Sequence, residues 1–288
     1  MNIKKYLDQI SNLNVLIIGE TITDTFIPVS YQGNSMKSFC SVVNQEVGLP
    51  IQNQIGGAGV VLRHLKDFVK NIDIITNKSS EICKIRYFDK STNVNHFEIN
   101  KFNLSKNLSD FNISYNNYDL IIVADFGHGF VDDLEFKENM CFMTQTNSHN
   151  FGFNRISKWK SIKKKYVCID NRESRLQLNQ RNNNKINIKD LFDYELNTDS
   201  VVMTNGKSGG TYYNGIDTVK YRSYSQKTFV DSIGAGDTFF AFSSVLLHTN
   251  KDLAIKLDIS SLFASLTTQW RGNQNAISKS ILKKYNVI

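Results

Sequence analysis

The residues with the clearest capacity for chemistry lie in Thr228–Ala241, TFVDSIGAGDTFFA. Gly234, Ala235 and Gly236 carry almost no side chain. Asp237 and Thr238 then open an amphipathic pattern that runs through Phe239, Phe240, Phe242, Val245 and Leu246. Small residues at a helix start bring bare N–H groups to its positive end, where an anion is favoured. A carboxylate at the same mouth is a poor phosphate ligand and a good proton acceptor. Phosphoryl transfer from a nucleoside triphosphate needs both parts: donors for the oxygens of the moving group and a base beside the attacking hydroxyl. Taken alone, the G-A-G-D tetrapeptide reads equally well as a glycine turn with a helix-capping carboxylate.

In full, Asp231–Phe239 (DSIGAGDTF) resembles the second signature, D-T-x-G-A-G-D-x-F, of the ribokinase-like (PfkB) carbohydrate kinases, with Ser232 in place of Thr. The resemblance implies an α/β fold: a three-layer α/β/α sandwich with a mostly parallel central sheet and a small β lid. It implies ATP and Mg²⁺ as cofactors and an anion hole built from Gly234, Ala235 and Gly236. Asp237 is then the base that deprotonates a sugar hydroxyl.

Other segments fall where the resemblance places ligand contacts. Gly19–Asp24 (GETITD) is similar to the family's G-D-x-x-x-D, which puts Asp24 on sugar hydroxyls and Glu20 in place of an Asp. A carboxylate just beyond a strand end also sits on the ligand edge of an α/β sheet on physical grounds. Gly56 and Gly57 resemble the pair that opens the substrate-side helix. The family's sugar-contacting Asn is absent, since the chain continues Gly59-Val60-Val61. Asp125 in ADFGHG resembles the Asp of D-Y-G-K-G, near the substrate. Asp170 and Glu173 (DNRE) resemble the N-x-x-E segment, with Glu173 implied to hold Mg²⁺ through water. Thr204, Gly206 and Gly209 (TNGKSGG) resemble the T-x-G-x-x-G nucleotide loop, and Asn273 falls on a wall of the adenine pocket.

Two stretches narrow the branch. KIRYFD at Lys84–Asp89, with Phe97-Glu98 after it, resembles heptose-phosphate kinases, the kinase half of bifunctional ADP-heptose synthases. Gln145–Asn154 (QTNSHNFGFN) resembles related kinases often fused to nucleotidyltransferases in surface-polysaccharide pathways. The implied acceptor is a sugar or sugar phosphate, heptose 7-phosphate-like, phosphorylated at the anomeric hydroxyl. Arg86 and Lys37 are the cations expected on an existing phosphate, which requires charge-assisted partners. Gly33 is counted with them among the substrate contacts.

These residues need a scaffold, and the apolar pattern supplies one. Asn14–Gly19, Asn71–Thr76, Asp119–Ala124, Cys141–Thr144, Tyr166–Ile169 and Ser200–Thr204 read as strands rich in Val and Ile, suited to a parallel sheet covered on both faces. After Gly57, Val61, Leu62, Leu65, Phe68 and Val69 recur at helical spacing. This alternation predicts a doubly wound sheet in one domain over 1–288. Segments of approximately 25–55 and 84–100 break the rhythm and predict a small antiparallel lid, through which the family often pairs two subunits.

Composition bounds the alternatives. With 41% hydrophobic and 21% charged residues, the chain is of ordinary globular type. No apolar run reaches bilayer length and the N-terminus lacks a signal-peptide pattern, so a cytoplasmic protein without membrane partners is expected. The net charge of +7 comes from dispersed Lys, so no nucleic-acid partner is expected. Cys40, Cys83, Cys141 and Cys168 have neither zinc-site nor C-x-x-C spacing. Two other readings stand beside the sugar kinase. One is a kinase for a different sugar or a nucleoside. The other is a non-catalytic sugar- or nucleotide-binding protein descended from a kinase, suggested by the departures at Glu20, Val61 and Asp170.

Overall fold

A computed structural model describes residues 2–135, 137–181, 185–226, 228–249 and 251–288. In chain order the helices and strands are α1 (Ile3–Ile10), β1 (Asn14–Gly19), β2 (Thr21–Asn34), β3 (Ser41–Gln45), β4 (Gln52–Gly57), α2 (Ala58–Leu65), β5 (Asn71–Ile75), β6 (Ile82–Asp89), β7 (Asn95–Phe102) and β8 (Leu120–Asp125). They continue with β9 (Met140–Thr144), β10 (Tyr166–Asp170), α3 (Asn171–Gln177), α4 (Ile188–Asp193), β11 (Val201–Thr204), β12 (Gly210–Tyr213), β13 (Thr218–Tyr221), α5 (Ala235–Leu246), α6 (Leu253–Thr267) and α7 (Lys279–Lys284).

The apolar runs do become the central sheet. Its order is β13-β12-β11-β10-β9-β8-β1-β5, with β5, β1, β8, β9, β10 and β11 parallel and the β12–β13 hairpin antiparallel at one edge. Central strands such as β8 are buried at every position, as two-sided cover requires. One face packs against α1, α2, α5, α6 and α7, whose Leu65, Phe240, Phe242, Phe263 and Leu282 join Val15, Ile17 and Ile122 of the sheet. The opposite layer is thinner: α3, α4 and short 3₁₀ turns place Leu108, Ile156, Trp159 and Leu191 over Leu16, Val123 and Phe142. The fold is a ribokinase-like α/β/α sandwich.

The second sheet, the lid, is longer than the sequence pattern suggested and is mixed in direction. It runs β3-β2-β6-β7, with β4 also paired to β2, and spans Thr21–Gly57 and Ile82–Phe102. The expected antiparallel pairing holds for β2–β3, β2–β4 and β6–β7, but β2 and β6 are parallel. β2 leaves the main sheet one residue after β1, so the lid begins directly at the sheet's ligand edge. No helix among the described residues is long and apolar enough to cross a membrane.

Candidate active site

The carboxyl ends of β8, β9, β10 and β11 meet at one edge, with Asp125 beside Thr144 and Asp170 beside Thr204. A cavity of about 350 Å³ opens there, between this edge, the N-terminus of α5 and the inner face of the lid. Open α/β sheets bind ligands at this place.

The α5 end of the cavity brings Gly234, Gly236 and Asp237 together, whereas the amide of Ala235, also expected in the anion hole, is already engaged. Gly234 is the N-cap residue with φ +81°, a left-handed conformation that a side chain resists. A Cβ at Gly234 would stand 2.0 Å from Asn273 Oδ1, so the two strands of chain touch only because the position is Gly. The Ala235 N–H donates to the Ser232 carbonyl at 3.2 Å. Among the described residues, the next two amides, of Gly236 and Asp237, find no acceptor, and a Cβ placed on Gly236 would meet no neighbouring group within 4 Å. Two orphan donors at the positive end of a 12-residue helix face open cavity.

Asp237 stands in the first turn of α5 and is buried. Burial, with the Asp24 carboxylate next, pushes its pKa up to about 7, while Lys84 pulls it down. A carboxyl poised there is half ionised near neutral pH and accepts a proton from a hydroxyl far better than an ordinary Asp does.

The lid supplies the opposite wall. The parallel register sets Asp24 beside Lys84 and Phe26 beside Arg86, and alternation along both strands points all four to the same face. Ile22, Asp24, Lys84 and Arg86 line the cavity. Arg86 is already engaged: its guanidinium pairs with Asp24 through Nη1 and with Glu98 through Nε at 2.8 Å, above the Phe26 ring. Burial raises the Asp24 carboxyl against the pull of Arg86. Lys84 makes no ion pair among the described residues, and burial followed by the Arg86 charge lowers its pKa. The sequence motif contained Lys84, but nothing in it distinguished this lysine from Lys37. Phe126, Met143 and Gln145 also line the cavity and were not foreseen.

On the sheet side, Asp170 and Glu173 cap α3 reciprocally. Asp170 Oδ1 accepts from the Glu173 N–H at 2.6 Å, and Glu173 Oε2 accepts from the Asp170 N–H at 3.1 Å. Glu173 Oε1 also accepts from the Thr146 N–H. Burial and the neighbouring Asp170 push Glu173 up to about 8, so a cation nearby would relieve both. Among the described residues no cluster of three or more His, Cys, Asp or Glu offers a ready metal cage. Asp170 and Glu173 are the carboxylates on the sheet side of the cavity that could hold a hydrated cation.

Of the predicted residues, Asp24, Gly57, Arg86, Asp170, Glu173, Thr204, Gly234, Gly236, Asp237 and Asn273 line this one cavity. Gly56 lies just behind, where a Cβ would be 2.6 Å from Asp24 Oδ2. Ala235 is the first residue of α5, and Gly206 and Gly209 belong to the turn after Thr204. Three residues are not brought to the cavity. Gly33 sits at a bulge between β2 and β3, and Lys37 is exposed in the loop beyond it. Asp125 is fully buried and occupied: it accepts from Asn154 Nδ2, Trp159 Nε1 and the Gly127 N–H, and pairs with Lys158 at 2.9 Å. Glu20 has a comparable anchoring part. Its longer side chain reaches the N–H groups of Phe126, His128 and Phe130 and fixes the turn after β8. Val61 is wholly buried in the core, which leaves no polar sugar contact at that position.

A larger open recess of about 980 Å³ lies beside β11–β13, but no carboxylate lines it to act as a base. The carboxylates and orphan amides that could do chemistry line the smaller cavity.

Comparison with known proteins bears on the fold and on the C-terminal half of the chain. Residues 154–280 match the pfkB family carbohydrate kinase model, a span that holds Asp170, Glu173, Thr204, the Asp237 loop and Asn273. The fold is that of the ribokinases. The nucleoside kinase of Methanocaldococcus jannaschii, an archaeal member of the ribokinase family, is similar with a TM-score of 0.65 at 14% identity, over 96% of this chain and 99% of that chain. The ribokinase of Arabidopsis thaliana, solved with ribose and ATP, gives 0.64 at 14% identity over 94% of this chain and 98% of that one. Phosphofructokinase-2 of Escherichia coli with fructose-6-phosphate gives 0.63 at 10% identity over 94% and 97%. No curated protein sequence matches.

Proposed function

We propose that this protein is an ATP-dependent carbohydrate kinase that transfers the γ-phosphoryl group to a hydroxyl of a sugar or sugar phosphate. One observation carries the reading: a carboxyl raised to about 7 stands at the same helix mouth as two orphan amides, across the cavity from Asp24, Lys84 and Arg86. Asp237 takes the hydroxyl proton as the oxygen attacks, and the Gly236 and Asp237 amides hold the charge of the moving phosphoryl group. Thr204 and Asn273 border the nucleotide end. Glu173 and Asp170 are the residues that would hold a hydrated Mg²⁺, which would supply charge neutralisation on the phosphates.

The acceptor in this reading is anionic. Arg86 is neutralised by Asp24 and Glu98, so Lys84 is the cation left for a substrate phosphate, and a heptose 7-phosphate-like sugar fits that demand. The same reading includes a homodimer through the lid, whose outer surface exposes Tyr31, Met36, Phe39, Phe97 and Ile99.

The test is ADP production by the purified protein with ATP and Mg²⁺ against hexoses, heptoses, their phosphates and nucleosides. Turnover with a sugar phosphate, lost in Asp237→Asn, is the expected result. Nucleotide binding without turnover on any acceptor would favour the non-catalytic binding protein instead.

A further inference from the structure

His64 lies on α2, outside the cavity, and is 1% exposed. Its hydrogen bonds define a direction. Nδ1 accepts the Ile277 N–H at 3.0 Å, so the ring proton of the neutral imidazole must be on Nε2. Nε2 lies 2.9 Å from Thr238 Oγ1 and therefore donates to it. The Thr238 hydroxyl, its lone pair occupied, directs its own proton to the Gly234 carbonyl at 2.9 Å. That carbonyl also receives the Thr238 N–H at 2.9 Å. Burial and the adjacent Arg63 depress the His64 pKa to about 3, so the ring is neutral at any pH where the protein would work.

The chain of donors joins three parts of the proposed site. Ile277 follows the nucleotide-side wall at Asn273, α2 begins at the Gly56-Gly57 pair beside Asp24, and Gly234 caps the helix that carries the anion-binding amides. Arg63, next to His64, reinforces the first link by donating to the Asn273 carbonyl at 2.8 Å. Gly234 is held in a left-handed conformation, and as a residue without a side chain it has no side-chain contact of its own to fix it. Two hydrogen bonds on its carbonyl set the following peptide plane and hence where the amides of α5 point.

We propose that His64 is a positioning residue: through Thr238 it fixes the Gly234 peptide and so aims the Gly236 and Asp237 amides at the terminal phosphoryl group of a bound nucleoside triphosphate. This inference deepens the kinase reading and rests on it. It predicts that His64 acts on binding of the third phosphate and not on the nucleotide as a whole. The probe is a pair of nucleotides, ADP and the non-hydrolysable triphosphate AMP-PNP, titrated calorimetrically with Mg²⁺ against the full chain, with no acceptor required.

In His64→Leu the preference for AMP-PNP over ADP should fall about tenfold, the equivalent of one hydrogen bond. ADP affinity should change little. Thr238→Val should show the same loss, and the double variant no more than either alone, because the two residues act in series. His64→Gln, which keeps an N–H near the Nε2 position, should restore most of the preference. An unchanged AMP-PNP to ADP ratio in a folded His64→Leu, or equal losses for both nucleotides, would overturn the positioning role. If wild-type protein binds neither nucleotide, the kinase reading itself fails; that result differs from the others because it precedes any substitution. Imidazole ¹⁵N shifts give an independent readout: a proton on Nδ1 would also overturn the proposal.

Discussion

Replacing Asp237 by Asn separates the chemistry from the cost of keeping a carboxylate in this cavity. The carboxyl rises from 3.8 to about 7 on folding, chiefly by burial. At about 1.36 kcal/mol per unit, holding it ionised opposes folding by about 4 kcal/mol. The sign follows from the raised value. Below about pH 3.8 the group is protonated in both states and the penalty is absent. Between there and about 7 the folded state binds the proton more tightly, so stability falls as pH rises. Above about 7 the penalty is complete. Asn carries no such charge, so its stability advantage over wild type should widen by about 3 kcal/mol between pH 5 and pH 8. Denaturant unfolding at the two pH values measures this difference.

Turnover should move the other way. Loss of a general base costs about 10² to 10⁴ in kcat, and nucleotide affinity should be nearly retained. In wild type, kcat/KM should rise with pH and level off near 7, since the base works only when ionised. A variant that turns over within a few-fold of wild type would remove Asp237 from the base role. A stability difference independent of pH would refute the electrostatic argument even if activity were lost.

Three other substitutions test the walls of the cavity. Lys84→Met should raise the acceptor KM about tenfold or more, the worth of a charged hydrogen bond, with kcat and ADP affinity little changed; an unaltered KM would argue for an uncharged acceptor. Arg86→Met strips Asp24 of its partner and should destabilise the protein by about 3–5 kcal/mol, more at pH 8 than at pH 5, and adding Asp24→Asn should recover most of it. Melting temperatures of the single and double variants decide, and full stability of the single variant would show that the pair is dispensable. Gly234→Ala forces a Cβ to within 2.0 Å of Asn273 Oδ1 at φ +81°, so it should lose about 1–2 kcal/mol to backbone strain alone, along with AMP-PNP binding; an unchanged melting temperature and AMP-PNP affinity would contradict the crowding seen at that contact.

The site was legible where its determinants are contiguous. Gly234–Asp237 combine a cap conformation, orphan amides and a carboxylate within a few residues, so their placement at one helix mouth could be read without knowledge of the fold. The β12–β13 hairpin at the edge of the main sheet was not foreseen, whereas the six parallel strands were equally plain, because two-sided burial leaves Val and Ile runs, as in β8. The lid was not. Its strands carry polar residues on both faces, so period and length gave only the cores of β6 and β7, and the parallel pairing of β2 with β6 has no local mark. That register decides that Lys84 faces the cavity while Lys37 lies in an exposed loop. Asp125 was misleading for a related reason. A carboxylate at a strand's ligand edge looks functional, yet Lys158, Trp159 and Asn154, distant in sequence, consume its lone pairs. His64 gave no signal, since a lone His in an apolar helix shows its part only when Ile277 and Thr238 arrive beside it.

The division of the cavity between two sheets has an evolutionary consequence. The orphan amides, the raised carboxyl of Asp237, Thr204 and Asn273 all belong to the main body, whereas Asp24, Lys84 and Arg86 ride on β2 and β6. Substitutions on the inner face of two lid strands can therefore alter which molecule is presented without disturbing the groups that act on it. Under the proposed kinase reading, changes in the lid would alter the acceptor while leaving the groups of the main body in place, so proteins built on this plan should differ in acceptor more readily than in chemistry.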